Sequence, residues 1–256
     1  MQMTAIRGII SAIVMVTYTF VTDKKLFKLT LKEFFMVACA GIAMFLTAFC
    51  YYFSMQASSV STAVILMYTS SIFVLIYSVL FLGEKLTVIK GISIAFMIIG
   101  AGLVSGIVGG LKFSFIGIAL GLLSGITYSV YNIVSKILMN NKCNPQTLST
   151  YCFVFMGLIA TTISKPLQIV SIAINNPIYI LLMVACGVCT CVLPYFLFTL
   201  SLKHLPAGTA SSLSIIEPLA ATLFSITILG EKLNVFSVIG IVLIMSAVFM
   251  LSKNKE

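Results

Sequence analysis

Glu217 is the residue of this chain best equipped for chemistry, because it is the only acidic residue inside a stretch apolar enough to cross a bilayer. An ionisable group near mid-membrane costs roughly 2.5–3.5 kcal/mol to insert, so it is expected to face a cavity or a partner. It could exchange a proton there, or hold the amine of a bound solute. The bland alternative is a protonated side chain bonded to nearby backbone. Pro218 follows directly and lacks an amide, which frees the carbonyl of Ser214 as a local partner and makes the pair a candidate hinge.

Three further positions invite a polar role. Tyr128 and Asn132 continue the face on which Gly117, Gly121 and Gly125 recur every fourth residue, a small-xxx-small spacing that lets helices approach closely. The glycines are read as packing; Tyr128 and Asn132 either bond a solute or pack. Pro194 interrupts an apolar stretch and releases the carbonyl of Thr190, so it is a second candidate hinge, with Tyr195 beside it either lining a path or filling space. Tyr51 and Tyr52 end their stretch near a membrane face and fit an interfacial aromatic belt.

Other chemistries lack their residues. Cys186, Cys189 and Cys191 sit in one apolar stretch where the third points away from the first two, and His204, the single histidine, lies beyond its end, so no metal site is expected. The cysteines are read as small packing residues. One histidine, Asp23 in a loop and one intramembrane carboxylate do not furnish an acid–base pair or a catalytic triad. Neither a phosphate-binding loop nor a dinucleotide glycine motif is present. An enzyme is not expected, nor any cofactor.

The elements that must position these residues follow from composition and charge spacing. The 256 residues are 61% hydrophobic and 8% charged, with a mean hydropathy of +1.19. That surface suits lipid, where only helices and closed barrels pair their own backbone groups. A helix needs about 20 apolar residues to cross the hydrocarbon. Charge-free gaps of that length predict nine spans, at about 5–21, 34–55, 60–82, 88–107, 115–138, 146–164, 178–201, 206–229 and 233–252. The N-terminal stretch is read as a span and not a signal peptide, because Arg7 follows only a short polar start, no small-residue cleavage site is clear and basic residues follow at Lys24 and Lys25. The net charge of +9 lies at span ends rather than on one face, which argues against nucleic acid. Alternating the spans collects Lys24, Lys25, Lys28, Lys32, Lys85, Lys90, Lys136, Lys142, Lys203, Lys253 and Lys255 on one side, against Arg7, Lys112, Lys165 and Lys232 on the other. The richer side is expected in the cytoplasm, with the C-terminus.

An internal repeat organises the spans. Leu82-Gly83-Glu84-Lys85-Leu86 recurs as Leu229-Gly230-Glu231-Lys232-Leu233, a shift of 147 residues, and Thr62-Ala63 and Leu66 recur as Thr209-Ala210 and Leu213. Glycine suits the helix C-cap and the charged pair marks the interface. The copies are five spans apart, an odd number, so they are expected to cross the membrane in opposite directions. Inverted repeats are typical of carriers that alternate access to a midplane site; a duplicated structural bundle is the bland reading. The shift maps Glu217 onto Ser70, Ile216 onto Thr69 and Ile215 onto Tyr68, so Tyr68, Thr69 and Ser70 join the candidate site. The helix near Phe115 has no counterpart within the chain, which leads us to expect a further helix upstream of residue 1.

At the repeated turns and their flanks the chain resembles the ten-helix EamA-type branch of the drug/metabolite transporter superfamily. Leu193–Leu233, LPYFLFTLSLKHLPAGTASSLSIIEPLAATLFSITILGEKL, carries the resemblance, with Gly117–Leu138, GIALGLLSGITYSVYNIVSKIL, and Arg7 followed by its apolar run. The resemblance covers essentially the whole chain. It implies an all-α membrane protein, an inverted-repeat bundle with the first helix of the first repeat missing, repeats at 1–107 and 113–252, and export of amino acids or related metabolites. Ser70-Ser71 stands where first repeats commonly carry a proline, which removes the reason to expect a helix break there. A small-molecule solute and lipid are the expected partners of a monomer or homodimer in the cytoplasmic membrane. A noncatalytic membrane subunit or a flippase component is the alternative.

Overall fold

The computed structural model describes residues 2–85, 87–104, 114–164, 177–217, 220, 224 and 235–253. Within them lie α1 (Gln2–Thr22), α2 (Leu31–Ala57), α3 (Val60–Tyr68), α4 (Ser70–Leu82), α5 (Val88–Val104), α6 (Phe115–Asn140) and α7 (Pro145–Ile163). There follow α8 (Pro177–Gly187), a π turn (Val188–Val192), α9 (Leu193–Ser201), α10 (Ala207–Leu213), a 3-10 turn (Ser214–Ile216) and α11 (Val235–Lys253). No strand occurs among the described residues. Six helical stretches among them are long and apolar enough to cross a membrane, and Val88–Leu103, Ala207–Ile216 and Val238–Met250 are shorter apolar helices. The chain is an all-α membrane bundle, and among the described residues helix occurs in every stretch that charge spacing picks out.

Local chemistry sets several helix ends. Thr30 and Glu33 form a reciprocal capping box: the Thr30 amide donates to Glu33 Oε2 at 2.8 Å and the Glu33 amide to Thr30 Oγ1 at 3.3 Å. This starts α2 at Leu31, earlier than hydropathy suggested. Asn144 caps α7, accepting from the Gln146 amide at 2.9 Å, and Pro145 occupies the first turn, where its missing amide costs nothing. Gly83 closes α4 in the left-handed region, φ +67°, and the Glu84 amide reaches back to the Ser78 carbonyl.

One compact unit comprises Met1–Phe49 and Val130–Leu205. Here α1 packs along α7. Lipid supplies no hydrophobic force between helices, so close backbone approach and polar side chains must hold them. A Cβ on Gly8 would lie 2.9 Å from the Cα of Gly157. Farther along, the Thr19 and Thr150 hydroxyls are 2.9 Å apart, and the Gln146 amide nitrogen is 3.3 Å from Thr19 Oγ1. Position rises along α1 as it falls along α7, so these two helices, counterparts under the 147-residue shift, are antiparallel. Lys136 on α6 donates to the carbonyls of Leu202 and Leu205, both at 2.8 Å, and so satisfies the C-terminal end of α9.

The other unit comprises Cys50–Ser129 and Pro206–Glu256. Its core gathers Tyr68, Met97, Ala101, Ile215 and Ala247. A Cβ on Gly100 would stand 2.7 Å from the Gly240 carbonyl, which accounts for the intimate α5–α11 pairing. Between α4 and α10, Ser71 Oγ and Ser211 Oγ lie 3.1 Å apart, while Glu84 Oε1 accepts the Ala207 amide at 2.7 Å. Late residues of α4 meet early residues of α10. The two copies of the repeated segment therefore run in opposite directions over the described residues, as their odd separation requires. Gly230, Glu231 and Lys232 of the second turn lie outside the described residues.

The glycine stripe of α6 is filled by neighbours of the same unit. A Cβ on Gly117 would meet Ser58, one on Gly121 would meet Leu66, and one on Gly125 would sit 3.0 Å from both the Leu66 carbonyl and Thr69 Oγ1. Ser54 Oγ donates to the Gly117 carbonyl at 2.6 Å.

The α1–α7 crossing gives a direct stability test. Gly8→Ala forces backbone against backbone and is expected to lower stability by about 1–3 kcal/mol, the usual range for overpacking. Gly91→Ala, where nothing lies within 4 Å, is expected to leave stability unchanged or raise it. Thermal midpoints of the two variants in detergent micelles make the comparison.

Candidate functional site

The repeated helix is interrupted at matching places in its two copies. In the first, α3 ends at Tyr68 and α4 starts at Ser70, with Thr69 between them. The Thr69 amide is shared between the Ile65 and Leu66 carbonyls, at 3.3 and 3.2 Å, and its own hydroxyl bonds the Leu66 carbonyl. That side-chain bond competes with the regular ladder. A break is thus present where the absence of proline removed the reason to expect one. In the second copy α10 passes at Ser214 into the 3-10 turn that ends at Ile216, the counterpart of Thr69.

The two interruptions bring Tyr68 and Glu217 together. The Tyr68 ring is buried against Ile215, and its hydroxyl donates to Glu217 Oε2 at 3.4 Å, a long bond. Glu217 is exposed, so the carboxylate remains within reach of a solute. Tyr128 lies close enough to feel the Glu217 charge, and its hydroxyl is in hydrogen-bonding reach of Ser214. Tyr51 also falls within electrostatic range of Glu217 and Tyr68. One phenol thus touches the carboxylate and two more lie within range of its charge. Such an arrangement can hold an ammonium group, through the carboxylate charge and the aromatic faces, or pass a proton to and from the carboxylate.

Thr69 and Ser70 are placed differently from these. Thr69 Oγ1 is occupied by the Leu66 carbonyl, and the Ser70 amide lies 3.3 Å from the position a Gly125 Cβ would take. Ser70 is buried. Both face the packed side of the break.

Asn132 and Tyr195 belong to the other unit. Asn132 is fully buried, and neither atom of its amide has a hydrogen-bond partner among the described residues. An unpaired buried amide costs about 1–3 kcal/mol and calls for an explanation. The hydroxyl of Ser135, one turn on, is unpaired in the same way. Tyr195 follows Pro194 at the start of α9, its ring edge-on to Tyr131 at 5.8 Å and to Phe153 at 6.2 Å. Pro218 lies outside the described residues.

Two residues near Glu217 carry no sequence signal for it. Tyr51, which its place at a span end fits to an interfacial belt, falls within range of the Glu217 charge on a helix with no repeat relation to it, so no spacing points there. Ser214, for which the sequence offers only a freed carbonyl, stands within hydrogen-bonding reach of Tyr128. Arg7, expected among the charges at a span end, lies inside α1, where a nitrogen of its guanidinium donates to the Thr190 carbonyl at 2.9 Å.

The chain matches the model of the EamA-like transporter family over residues 1–106 and 115–253. It is similar to an uncharacterized transporter of Clostridium kluyveri, 29% identical over 239 residues that cover 87% of this chain and 73% of that protein. It is also similar to the uncharacterized transporter YwfM of Bacillus subtilis, 30% identical over 130 residues, 49% of this chain and 42% of that one. A crystal structure of another protein has the same fold, with a TM-score of 0.79 at 16% identity, over 97% of this chain and 85% of that chain.

The cysteines differ in surroundings: Cys191 is buried, Cys189 exposed and Cys186 between. Cys143 lies in the short connection between α6 and α7. Burial, and after it the Glu33 carboxylate, push its thiol up to about 11, with the Asn144 backbone acting weakly the other way. Only the thiolate reacts with maleimide. Cys143 is therefore expected to label slowly at pH 7.5, at a rate that rises about tenfold per pH unit until the thiol titrates. Mass spectrometry of labelled peptides across a pH series reads this out.

Proposed function

The chain belongs to the EamA-like transporter family, and on that premise we propose that it is a secondary carrier exporting small organic metabolites, such as amino acids or drug-like compounds, by alternating access. It is a multi-pass membrane protein. The cytoplasmic membrane is the proposed location, with the C-terminus inside, as the lysine distribution supports. The repeats at 1–107 and 113–252 are the proposed moving halves of a monomer or homodimer.

The observation that carries the reading is the Tyr68–Glu217 contact at paired helix interruptions. Discontinuous helices present polar groups at mid-membrane without leaving backbone unpaired, and carriers use them to hold solutes. Glu217 is proposed to bind the solute's amine, with Tyr68 and Tyr128 orienting it and Thr69 and Ser70 shaping the wall behind. Exchange of a proton at Glu217 would couple transport to the proton gradient. Asn132 and Tyr195 are proposed to line the path within their own unit, Asn132 offering an amide that is unpaired among the described residues. Pro194 and Pro218 are the proposed hinges.

A growth-resistance screen against toxic amino-acid analogues, purines and drugs selects the solute, and counterflow of that labelled solute in vesicles tests the carrier. A carrier exchanges solute, whereas a membrane scaffold or subunit does not. Glu217→Gln is expected to lower counterflow at least tenfold and to flatten its pH dependence; unchanged rates and pH profile would leave the carboxylate a structural role only.

Asn132→Leu separates stability from function. Replacing an unpaired buried amide by an apolar group of similar shape is expected to hold or raise the thermal midpoint, while counterflow falls. A lowered midpoint with full transport would remove Asn132 from the path.

A further inference from the structure

A guanidinium inside an apolar span needs a partner of its own. Arg7 on α1 finds one in the Thr190 carbonyl, 2.9 Å away. This is the carbonyl that Pro194, four residues on, leaves without its helical donor. The chain around it is not a regular helix. Val188–Val192 is a π turn, and the Leu193 amide bonds the carbonyl of Val188, five residues back. One turn along α1, Ser11 Oγ donates to the Gly187 carbonyl at 3.4 Å. A Cβ on Gly187 would stand 2.8 Å from Ile10 Cγ2, so α1 also meets the backbone directly at the start of the turn. Two side chains and one close approach, all from α1, thus grip the bulge.

We propose that Arg7 is a positioning residue: its bond to the Thr190 carbonyl holds the π turn in place and thereby sets the direction in which Tyr195 points. A π turn adds one residue to a helix, which rotates everything after it by about 100° relative to an unbulged helix. In the bulged phase Tyr195 stands edge-on to Tyr131 and Phe153, and the Tyr131 hydroxyl lies 3.2 Å from Thr199 Oγ1 on the same α9. Without the guanidinium the Thr190 carbonyl loses its partner in lipid; a regular helix offers it none at Pro194, so the turn has to shift to bring it another donor. Tyr195 then leaves the aromatic cluster. The consequence for transport rests on Tyr195 lining the solute path, but the geometry of the clasp does not.

The test reads ring position rather than transport, so its failure is distinguishable from failure of the carrier reading. Tyr195 is replaced by 3-fluorotyrosine in the full chain, reconstituted in lipid nanodiscs, and followed by fluorine NMR, with Tyr77 labelled separately as a control in the other unit. Arg7→Leu, which removes every side-chain donor, is expected to shift or split the Tyr195 resonance by more than its linewidth, to lower the thermal midpoint and to leave Tyr77 unchanged. Arg7→Lys, which keeps a cationic donor, is expected to retain the native resonance. Adding Pro194→Ala to Arg7→Leu restores an amide donor for Thr190 and is expected to recover most of the lost thermal midpoint. An unmoved Tyr195 resonance in Arg7→Leu overturns the proposal, as does equal loss of midpoint in the single and double variants. If Arg7→Leu alone yields no folded protein, a folded double variant supports the clasp and an unfolded one overturns it.

Discussion

In hydrocarbon every backbone amide and carbonyl must find its partner within the chain, because no water is there to substitute. The structure follows from that demand most visibly where helices are interrupted. At Thr69 the amide is shared between two carbonyls and the hydroxyl takes one of them. At the 3-10 turn the Ser214 hydroxyl bonds the Ser211 carbonyl, and the Glu217 amide bonds that of Ser214. At the π turn the compensation is spread more widely: Thr190 Oγ1 bonds the Cys186 carbonyl, and Arg7 reaches across from another helix to Thr190 itself. Each interruption thus finds side-chain or backbone partners for the groups its irregular turn would otherwise strand.

The second demand is cohesion without a hydrophobic force. Glycines supply it by removing Cβ atoms where backbones cross, as at Gly8 with Gly157 and Gly100 with Gly240. Small hydroxyls and one carboxylate add hydrogen bonds along the same seams, in the Thr19–Thr150 and Ser71–Ser211 pairs and in the Glu84 cap on α10. These seams join helices that are counterparts under the internal shift. The Glu84 contact is instructive, because the carboxylate of the repeated turn in one copy caps the start of the same helix in the other. A sequence motif read as an interface marker is also a tie between the copies.

Within the unit that holds Glu217, stability and site are built from the same groups. Tyr68 belongs to the core through its ring and to the carboxylate through its hydroxyl. Gly125 allows α6 to lie flush against the Thr69 break, which leaves Tyr128, farther along α6, near Ser214 and Glu217. In the other unit Asn132 shows the opposite economy, a fully buried amide with no partner among the described residues. Packing alone does not account for such a group.

The amino-acid sequence by itself determined the class and, over the described residues, where helices lie and the opposed direction of the two copies. These follow from hydropathy, charge spacing and the parity of a repeat, quantities that depend on the solvent and on chain order alone. It also singled out Glu217, because a carboxylate in lipid is costly wherever it sits, Tyr68, because the shift maps it beside that carboxylate, and Tyr128, because it continues the glycine-bearing face of its helix. Tertiary structure alone decided the rest. The Thr69 break arises without a proline, from a side-chain bond and a glycine on another helix. Tyr51 falls within range of the Glu217 charge from a helix unrelated to it by the repeat, and Arg7, inside α1, holds Thr190. Each of these depends on which residues face one another across helices, and a one-dimensional pattern carries no information about that.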